Sequence, residues 1–272
     1  MTSGAFRDRV VLVTGAARGI GRRMALRFHA AGATLVAWDV DGAGLSTLAA
    51  QLRGERVHGY VCDLADPAAI DVQAARVLAE VGPVDVLVNN AGVVNGRPLL
   101  ALADHEIART LQVNTLSLFR TTRAFLPAML ARDRGTVVTI ASAAGLVGVA
   151  GLTDYCASKW AAVGFDEALR AELDKQGACV RTLIVCPYFI DTGMFAGVRT
   201  RFPRLLPILD PDDVAGRVVA AVAAGRRRLL LPRFVWATLL ARALPPRLFD
   251  RVAGFFGINA SMDDFVGRRG GR

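Results

Sequence analysis

The chain has 272 residues, 53% of them hydrophobic and 21% charged, which excludes a disordered polymer and suits one large α/β domain with a substantial core. Four cysteines, Cys62, Cys156, Cys179 and Cys186, show no C-x-x-C or paired spacing, which argues against a zinc site or a disulfide frame and for a reducing compartment. The formal net charge of +9 is concentrated at one end: from Arg226 to Arg272 ten arginines stand against three aspartates, leaving only +2 for the first 225 residues.

In chain order, "MTSGAFRDRVVLVTGAARG" has no long apolar segment before its glycine-rich turn, and no stretch reaches the roughly 18 uninterrupted apolar residues that a spanning helix needs. A cytoplasmic protein is expected, either free or peripheral to the inner face of a membrane. "RVVLVTG" and "TLVAWDV" read as strands, with a helical stretch from Ile20 to Ala31 between them. "VHGYVCDL", "VDVLVNNAG", "GTVVTIAS", "CVRTLIVCP" and "RRRLLLP" continue the series, separated by helical segments. Apolar strands alternating with helices predict an α/β fold: a doubly wound, seven-stranded parallel sheet with helices on both faces. No repeat, low-complexity tract or linker divides the first 232 residues. Ligands in such folds bind beyond the carboxyl ends of the strands. Those ends are Thr14-Gly15, Asp39, Asp63, Asn89-Asn90-Ala91-Gly92, Ser142 and Cys186-Pro187, small and polar where the strands are apolar.

"VLVTGAARGIGRRMALRF" places Gly15, Gly19 and Gly21 between a strand and a helix. Missing side chains there let backbone approach a pyrophosphate held at the helix N-terminus. The spacing G-x-x-x-G-x-G differs from the common dinucleotide pattern, and a tight strand–helix turn would also explain it in isolation. Asp39 ends the second strand near the offset of about 20 residues at which a carboxylate binds the adenosine ribose hydroxyls, and it would repel a 2′-phosphate. Arg18 points the other way, since a basic residue in this loop could pair with that phosphate. Val40 supplies no second cation, so NAD is expected rather than NADP.

"TDYCASKWAAVGF" carries Tyr155 and Lys159, one of only two lysines in the chain, on one face of a helix. A tyrosine packed by its ring beside a snorkelling lysine is the ordinary alternative. An unassisted phenol, with a pKa of about 10, is no base at neutral pH, and lowering it by three units takes roughly 4 kcal/mol. One ammonium about 4 Å away, at an effective dielectric near 20, supplies roughly that amount. Lys159 is therefore expected to turn Tyr155 into a proton acceptor.

With "TGAARGIG", "CDL", "NNAG", Asn114 in "LQVNTLS", Ser142 in "TIASAAG", and "YCASK", the chain resembles the short-chain dehydrogenase/reductase superfamily along nearly its whole length. The resemblance implies a single-domain Rossmann fold over residues 1–232 that transfers hydride between a nicotinamide and an alcohol or carbonyl. It implies the catalytic set Asn114, Ser142, Tyr155 and Lys159, with Ser142 holding the substrate oxygen, Tyr155 as base and Asn114 serving a proton-relay water. The cofactor residues it implies are Thr14, Gly15, Arg18, Gly19, Ile20, Gly21, Asp39, Asp63, Leu64, Asn90, Ala91, Gly92, Tyr155, Lys159, Pro187, Ile190 and Thr192. Tyr188 stands where the family often has glycine. Together with "RFPRLLPILDP" and "GINASMDDFV", this makes the chain similar to the retinol-dehydrogenase-like branch, which includes epidermal and steroid-acting enzymes. That branch implies a lipophilic alcohol or ketone as substrate. Residues 188–210, rich in Phe, Leu, Ile and Met, are expected to form its wall, with ordinary core packing as the alternative.

Three other readings account for less of the sequence. An NADPH-dependent ketoreductase, such as a 3-oxoacyl reductase, conflicts with Asp39. A nucleic-acid-binding protein, or a non-catalytic NAD-binding scaffold, leaves the Tyr155–Lys159 register unexplained, and the arginines are not spread over a sheet with aromatic platforms. A homodimer or homotetramer is expected through the apolar helices spanning Leu102 to Leu130 and Tyr155 to Asp174. In the extension, residues 233–272, "PPRLFDRVAGFFGI" sets Arg247, Asp250, Arg251 and Gly254 opposite Leu248, Phe249, Val252, Phe255 and Phe256. It is expected either to lie on an anionic membrane surface or to close over the substrate pocket.

Overall fold

The seven apolar runs pair into one all-parallel sheet. The computed structural model describes residues 4–53 and 56–267. Its strands are β1 (Val10–Thr14), β2 (Thr34–Asp39), β3 (Val57–Val61), β4 (Val86–Asn89), β5 (Thr136–Ile140), β6 (Arg181–Pro187) and β7 (Arg228–Leu231), in the spatial order β3-β2-β1-β4-β5-β6-β7. The helices in chain order are α1 (Gly19–Ala30), α2 (Gly42–Gln51), α3 (Pro67–Glu80), α4 (Asp104–Leu111), α5 (Ser117–Ala131), α6 (Thr153–Lys175), α7 (Pro211–Ala223), α8 (Trp236–Ala241) and α9 (Pro246–Phe255).

Alternate side chains of each strand serve opposite faces, so two cores form. Val11, Val13, Leu35 and Val88 pack with Met24 and Phe28 of α1, Leu45 and Leu48 of α2, and Val214 and Val218 of α7. Leu12, Val36, Trp38 and Leu87 pack the other way, with Ile70 of α3, Phe125 and Met129 of α5, and Leu169 and Leu173 of α6. Each large side chain fully withdrawn from water, such as Phe28 or Phe125, contributes roughly 2–3 kcal/mol. Helix starts are set by aspartates: the side chains of Asp41, Asp66 and Asp210 accept from the backbone N–H of Gly44, Ala68 and Asp213 and so cap α2, α3 and α7.

The strand order reverses between β1 and β4, because the chain leaves β3 at one edge and crosses to the far side of β1. This switch point opens a crevice at the carboxyl ends of β1 and β4, where the glycine-rich turn and "NNAG" meet.

After β7 the chain folds back on the body. Val235 is buried with Leu118, Ile184, Cys186 and Leu230. Arg242 stacks over Trp160, 4.2 Å from its ring centroid, and donates to the Leu146 carbonyl at 3.1 Å. The ring of Phe256 meets those of Phe202 and Phe234, with centroids 5.7 and 5.3 Å apart. The amphipathic pattern of α9 holds only in part: Phe249, Val252 and Phe256 are partly covered, whereas Leu248 and Phe255 stay exposed. Among the described residues no helix is long and apolar enough to cross a membrane.

Candidate active site

The glycine-rich turn is built by close approach. Gly15 and Gly19 adopt φ of +67° and +56°, and a Cβ at Gly21 would fall 2.0 Å from the Gly15 carbonyl oxygen. Only a bare backbone lets α1 start this near the end of β1. Thr14 clamps the turn to the next strand: its Oγ1 accepts from the N–H of Asn90 (2.9 Å) and of Ala91 (3.0 Å) and donates to the Val88 carbonyl at 3.3 Å. The Asn90 amide donates to the Thr14 and Gly15 carbonyls at 2.8 and 3.3 Å. Ile20 packs on the core beneath, and Arg18 is solvent-facing at the N-cap of α1.

Asp39 is buried at the end of β2, and its carboxylate accepts from the N–H of Ala17 at 2.9 Å and of Asp41 at 3.0 Å. It therefore braces the glycine-rich turn, a role the sequence did not announce. A carboxylate has about four lone-pair positions, so two remain for ribose hydroxyls. Arg18 lies 3.9 Å from Asp41. Asp63, half-exposed after β3, accepts from Ala65 N–H at 2.9 Å and lies 3.7 Å from Arg109. Leu64 turns its side chain into the core, leaving its backbone for any contact at the adenine end. Across the crevice, Thr192 packs 3.6 Å from where a Gly19 Cβ would be, joining the segment after Pro187 and Ile190 to the glycine-rich turn.

Asn114 sits on a π-helical turn, Gln112–Leu116, between α4 and α5. Such turns re-aim one residue out of the regular helical ladder and recur at functional sites. Its Oδ1 accepts from Val93 N–H at 2.8 Å, and its Nδ2 donates to the Val93 carbonyl at 2.9 Å and to Ser158 Oγ at 3.0 Å. These bonds hold α6 and the loop after β4 on one fixed side chain. A Cβ at Gly92 would lie 3.4 Å from Asn114 Oδ1 and 3.7 Å from Lys159 Nζ. The space left by the missing side chain is thus faced by an amide oxygen and a cation, which suits a nicotinamide ribose and a relay water.

Ser142 follows β5 and its Oγ accepts from Ala144 N–H at 3.1 Å. Its hydroxyl donates to the Pro187 carbonyl at 3.5 Å. Lys159 Nζ donates to the Ile140 carbonyl at 2.9 Å and stands 5.6 Å from the centroid of the Tyr155 ring. Structure corrects one expectation here. Burial raises the Tyr155 phenol above its ordinary value, with the Ser142 hydrogen bond opposing it, and burial depresses Lys159 to about 8. The ammonium is seated on a carbonyl rather than on the phenol oxygen, so desolvation outweighs the expected lowering.

The four expected catalytic side chains therefore converge, and an apolar cap lies over them. Tyr155 is only 5% exposed, packed in one cluster with Leu152, Phe189, Val198 and Met262. The Phe195 ring stands edge-on to it, with centroids 5.6 Å apart. Beside the cap, a cleft of about 380 Å³ is lined by Ile190, Phe195, Val198, Ile208 and Leu209 together with Asp191 and Asp210. Much of the expected wall, residues 188–210, thus borders the site. Sequence reading missed Met262 and Phe265, which come from the tail, and Asp154, whose buried Oδ2 accepts from Asn95 Nδ2 and Thr110 Oγ1, both at 2.8 Å, and ties the start of α6 to α4. A usable signal was Gly96, whose positive φ leaves room for the Phe265 ring.

Comparison with known proteins identifies the family. The sequence pattern of the short chain dehydrogenase family matches residues 9–202. The chain is 42% identical over 264 residues to the Bos taurus short-chain dehydrogenase/reductase family 16C member 6, covering 95% of this chain and 84% of that protein. It is 41% identical over 266 residues to Homo sapiens epidermal retinol dehydrogenase 2, covering 96% and 86%. Among solved structures, a short chain dehydrogenase/reductase from Burkholderia phymatum in complex with NAD superposes with a TM-score of 0.79 at 30% identity, over 88% of this chain and 94% of that one. The chain belongs to the short-chain dehydrogenase family, in its retinol-dehydrogenase-like branch, and is an NAD(P)-dependent oxidoreductase acting on CH–OH groups.

Proposed function

We propose that the protein oxidises bulky lipophilic alcohols of retinol-, steroid- or long-chain type, or reduces the matching carbonyls, with NAD. The observation that carries this reading is the packing of the Tyr155 ring with Leu152, Phe189, Val198 and Met262 and edge-on to Phe195. A small polar alcohol would gain little from such a lining. NAD is favoured because Asp39 ends β2 as a buried carboxylate and Arg18 lies against Asp41 rather than being free for a 2′-phosphate.

NAD bound at the strand ends supplies the hydride acceptor. Ser142 orients the substrate oxygen by a hydrogen bond, and Tyr155 takes the proton from that oxygen in the oxidising direction and returns it in the reducing one. Lys159, seated on the Ile140 carbonyl, would hold the ribose hydroxyls of the bound cofactor. Asn114 fixes the loop after β4 and presents its Oδ1 to the relay water. The apolar cap excludes bulk solvent, which strengthens each of these polar contacts.

Homo-oligomerisation through α4, α5 and α6 is supported by the exposure of Leu111, Leu116, Phe119 and Trp160. Peripheral contact with the inner face of a membrane is supported by Trp236 and Leu240, one turn apart on α8, and Leu248 and Phe255, two turns apart on α9. All four are exposed among the tail arginines. The test of the main reading is NAD reduction by purified protein across retinol, steroid and long-chain alcohols. Turnover on lipophilic alcohols with kcat/KM well above that for short polar ones is expected. Equal or better use of short polar alcohols would refute it.

A further inference from the structure

Beyond α9, residues 258–267 turn back across the loop that follows β6. Arg199 N–H donates to the Ser261 carbonyl at 3.1 Å, and the N–H groups of Val266 and Gly267 both donate to the Ala196 carbonyl, at 2.9 and 3.1 Å. The Arg199 guanidinium pairs with Asp264 at 2.9 Å. Two glycines of the body are shaped to receive this strap. A Cβ at Gly96 would lie 2.0 Å from the Phe265 ring, and one at Gly197 would lie 2.0 Å from the Asp264 carbonyl oxygen.

The strap reaches the reacting centre. The Met262 side chain is buried in the cluster that contains Tyr155, Leu152, Phe189 and Val198. The Phe265 ring lies 6.4 Å from that of Phe195, which itself stands edge-on to Tyr155.

We propose that Met262 and Phe265 are specificity-determining residues: the tail segment 258–267 is the outer wall of the substrate pocket and touches the hydrocarbon beyond the reacting carbon of long or bulky alcohols. Short alcohols fit against Ser142 and Tyr155 without reaching it. This inference rests on the reading of the protein as a lipophilic alcohol dehydrogenase. It adds that the discriminating surface comes from the far end of the chain rather than from the loop after β6 alone. Each methylene withdrawn from apolar contact costs about fourfold in affinity, so truncating either side chain removes tenfold or more.

The test compares 1-butanol and 1-decanol as substrates of the full chain with NAD. Phe265→Ala, Met262→Ala and Gly96→Ala, the last of which keeps the Phe265 side chain but displaces its ring, should each raise KM for 1-decanol about tenfold or more. Their kcat values, and kcat/KM for 1-butanol, should stay within about twofold. A second readout needs no turnover: in the wild type with NAD, amide exchange at Val266 and Gly267 should slow with 1-decanol and not with 1-butanol. Equal losses for both alcohols, or unchanged KM together with unchanged exchange, would overturn the wall. If the wild type oxidised no alcohol, the functional reading would fail, while the exchange experiment would still decide whether long hydrocarbon binds under the tail.

Discussion

Tyr155 and Lys159 stand one turn apart in α6, and burial drives their proton affinities apart, raising the phenol and depressing the ammonium to about 8. Tyr155→Phe removes only the proton acceptor, so kcat should fall a hundredfold or more while NAD affinity, measured by calorimetry, stays near wild type. Lys159→Ala should damage both, because the proposed mechanism gives this ammonium, which stands beside the Tyr155 ring, the ribose to hold. A Tyr155→Phe enzyme retaining more than about a tenth of wild-type kcat would remove the residue from the mechanism. Lys159 also makes a stability statement. Its folded pKa lies below the ordinary 10.5, so between pH 8 and 10.5 the unfolded chain binds more protons than the folded one. Stability should therefore rise with pH through that window, and below it the full burial penalty is present. Lys159→Met, uncharged and of similar length, should be inactive yet up to about 3 kcal/mol more stable at pH 7, converging with wild type near pH 10.5. Urea titrations at both pH values check the sign; a less stable variant at pH 7 would show that the Ile140 carbonyl contact outweighs desolvation.

At the scale of elements, cofactor choice belongs to the turn between β2 and α2 and its bond to the glycine-rich turn. Asp39 accepts from Ala17 N–H there, and on the proposed reading it would also repel a 2′-phosphate. Asp39→Ala with Val40→Arg should shift the NADP/NAD ratio of kcat/KM toward NADP by tenfold or more, since it removes an anion and adds a cation at one place. It should also lower stability by about 1–3 kcal/mol, because a buried N–H loses its partner. Wild-type enzyme using both cofactors with equal kcat/KM would contradict the role given to Asp39.

For the whole molecule, two groups of exposed apolar residues have different expected partners. Leu111, Leu116, Phe119 and Trp160 belong to the helices around Asn114 and Tyr155, and a second copy covering them should give a dimer or tetramer. Light scattering at micromolar concentration tests this, and a monomer mass would oppose it. Trp236, Leu240, Leu248 and Phe255 lie in the arginine-rich extension. Each arginine close to an anionic leaflet adds about 1 kcal/mol. Co-sedimentation with anionic liposomes should be salt-sensitive and lost on truncation after Pro232. Failure of the full-length protein to sediment at low salt would leave the extension as a part of the enzyme's own wall.

The sequence by itself determined the parallel α/β sheet, because strand apolarity and helical periodicity are local signals that tertiary contacts only reinforce. It also determined which residues meet at the strand ends: Thr14, Asp39, Asn90, Ser142 and Pro187 close or follow strands, and a parallel sheet brings all such ends to one edge. The one-turn spacing of Tyr155 and Lys159 fixed their shared face. Tertiary structure alone decided the rest. Nothing local in "LQVNTLS" announces that Asn114 occupies a π-helical turn, and the bonding of Asp39 to Ala17 joins residues that only the β1–β2 pairing makes neighbours. Whether Lys159 lowers or Tyr155 resists depends on burial, which follows from packing rather than spacing. The tail was legible as apolar and basic, equally suited to a membrane or to the enzyme. The strap of residues 258–267 over Tyr155 exists because Gly96 and Gly197, distant in sequence, leave space that only the folded chain brings to Phe265 and Asp264.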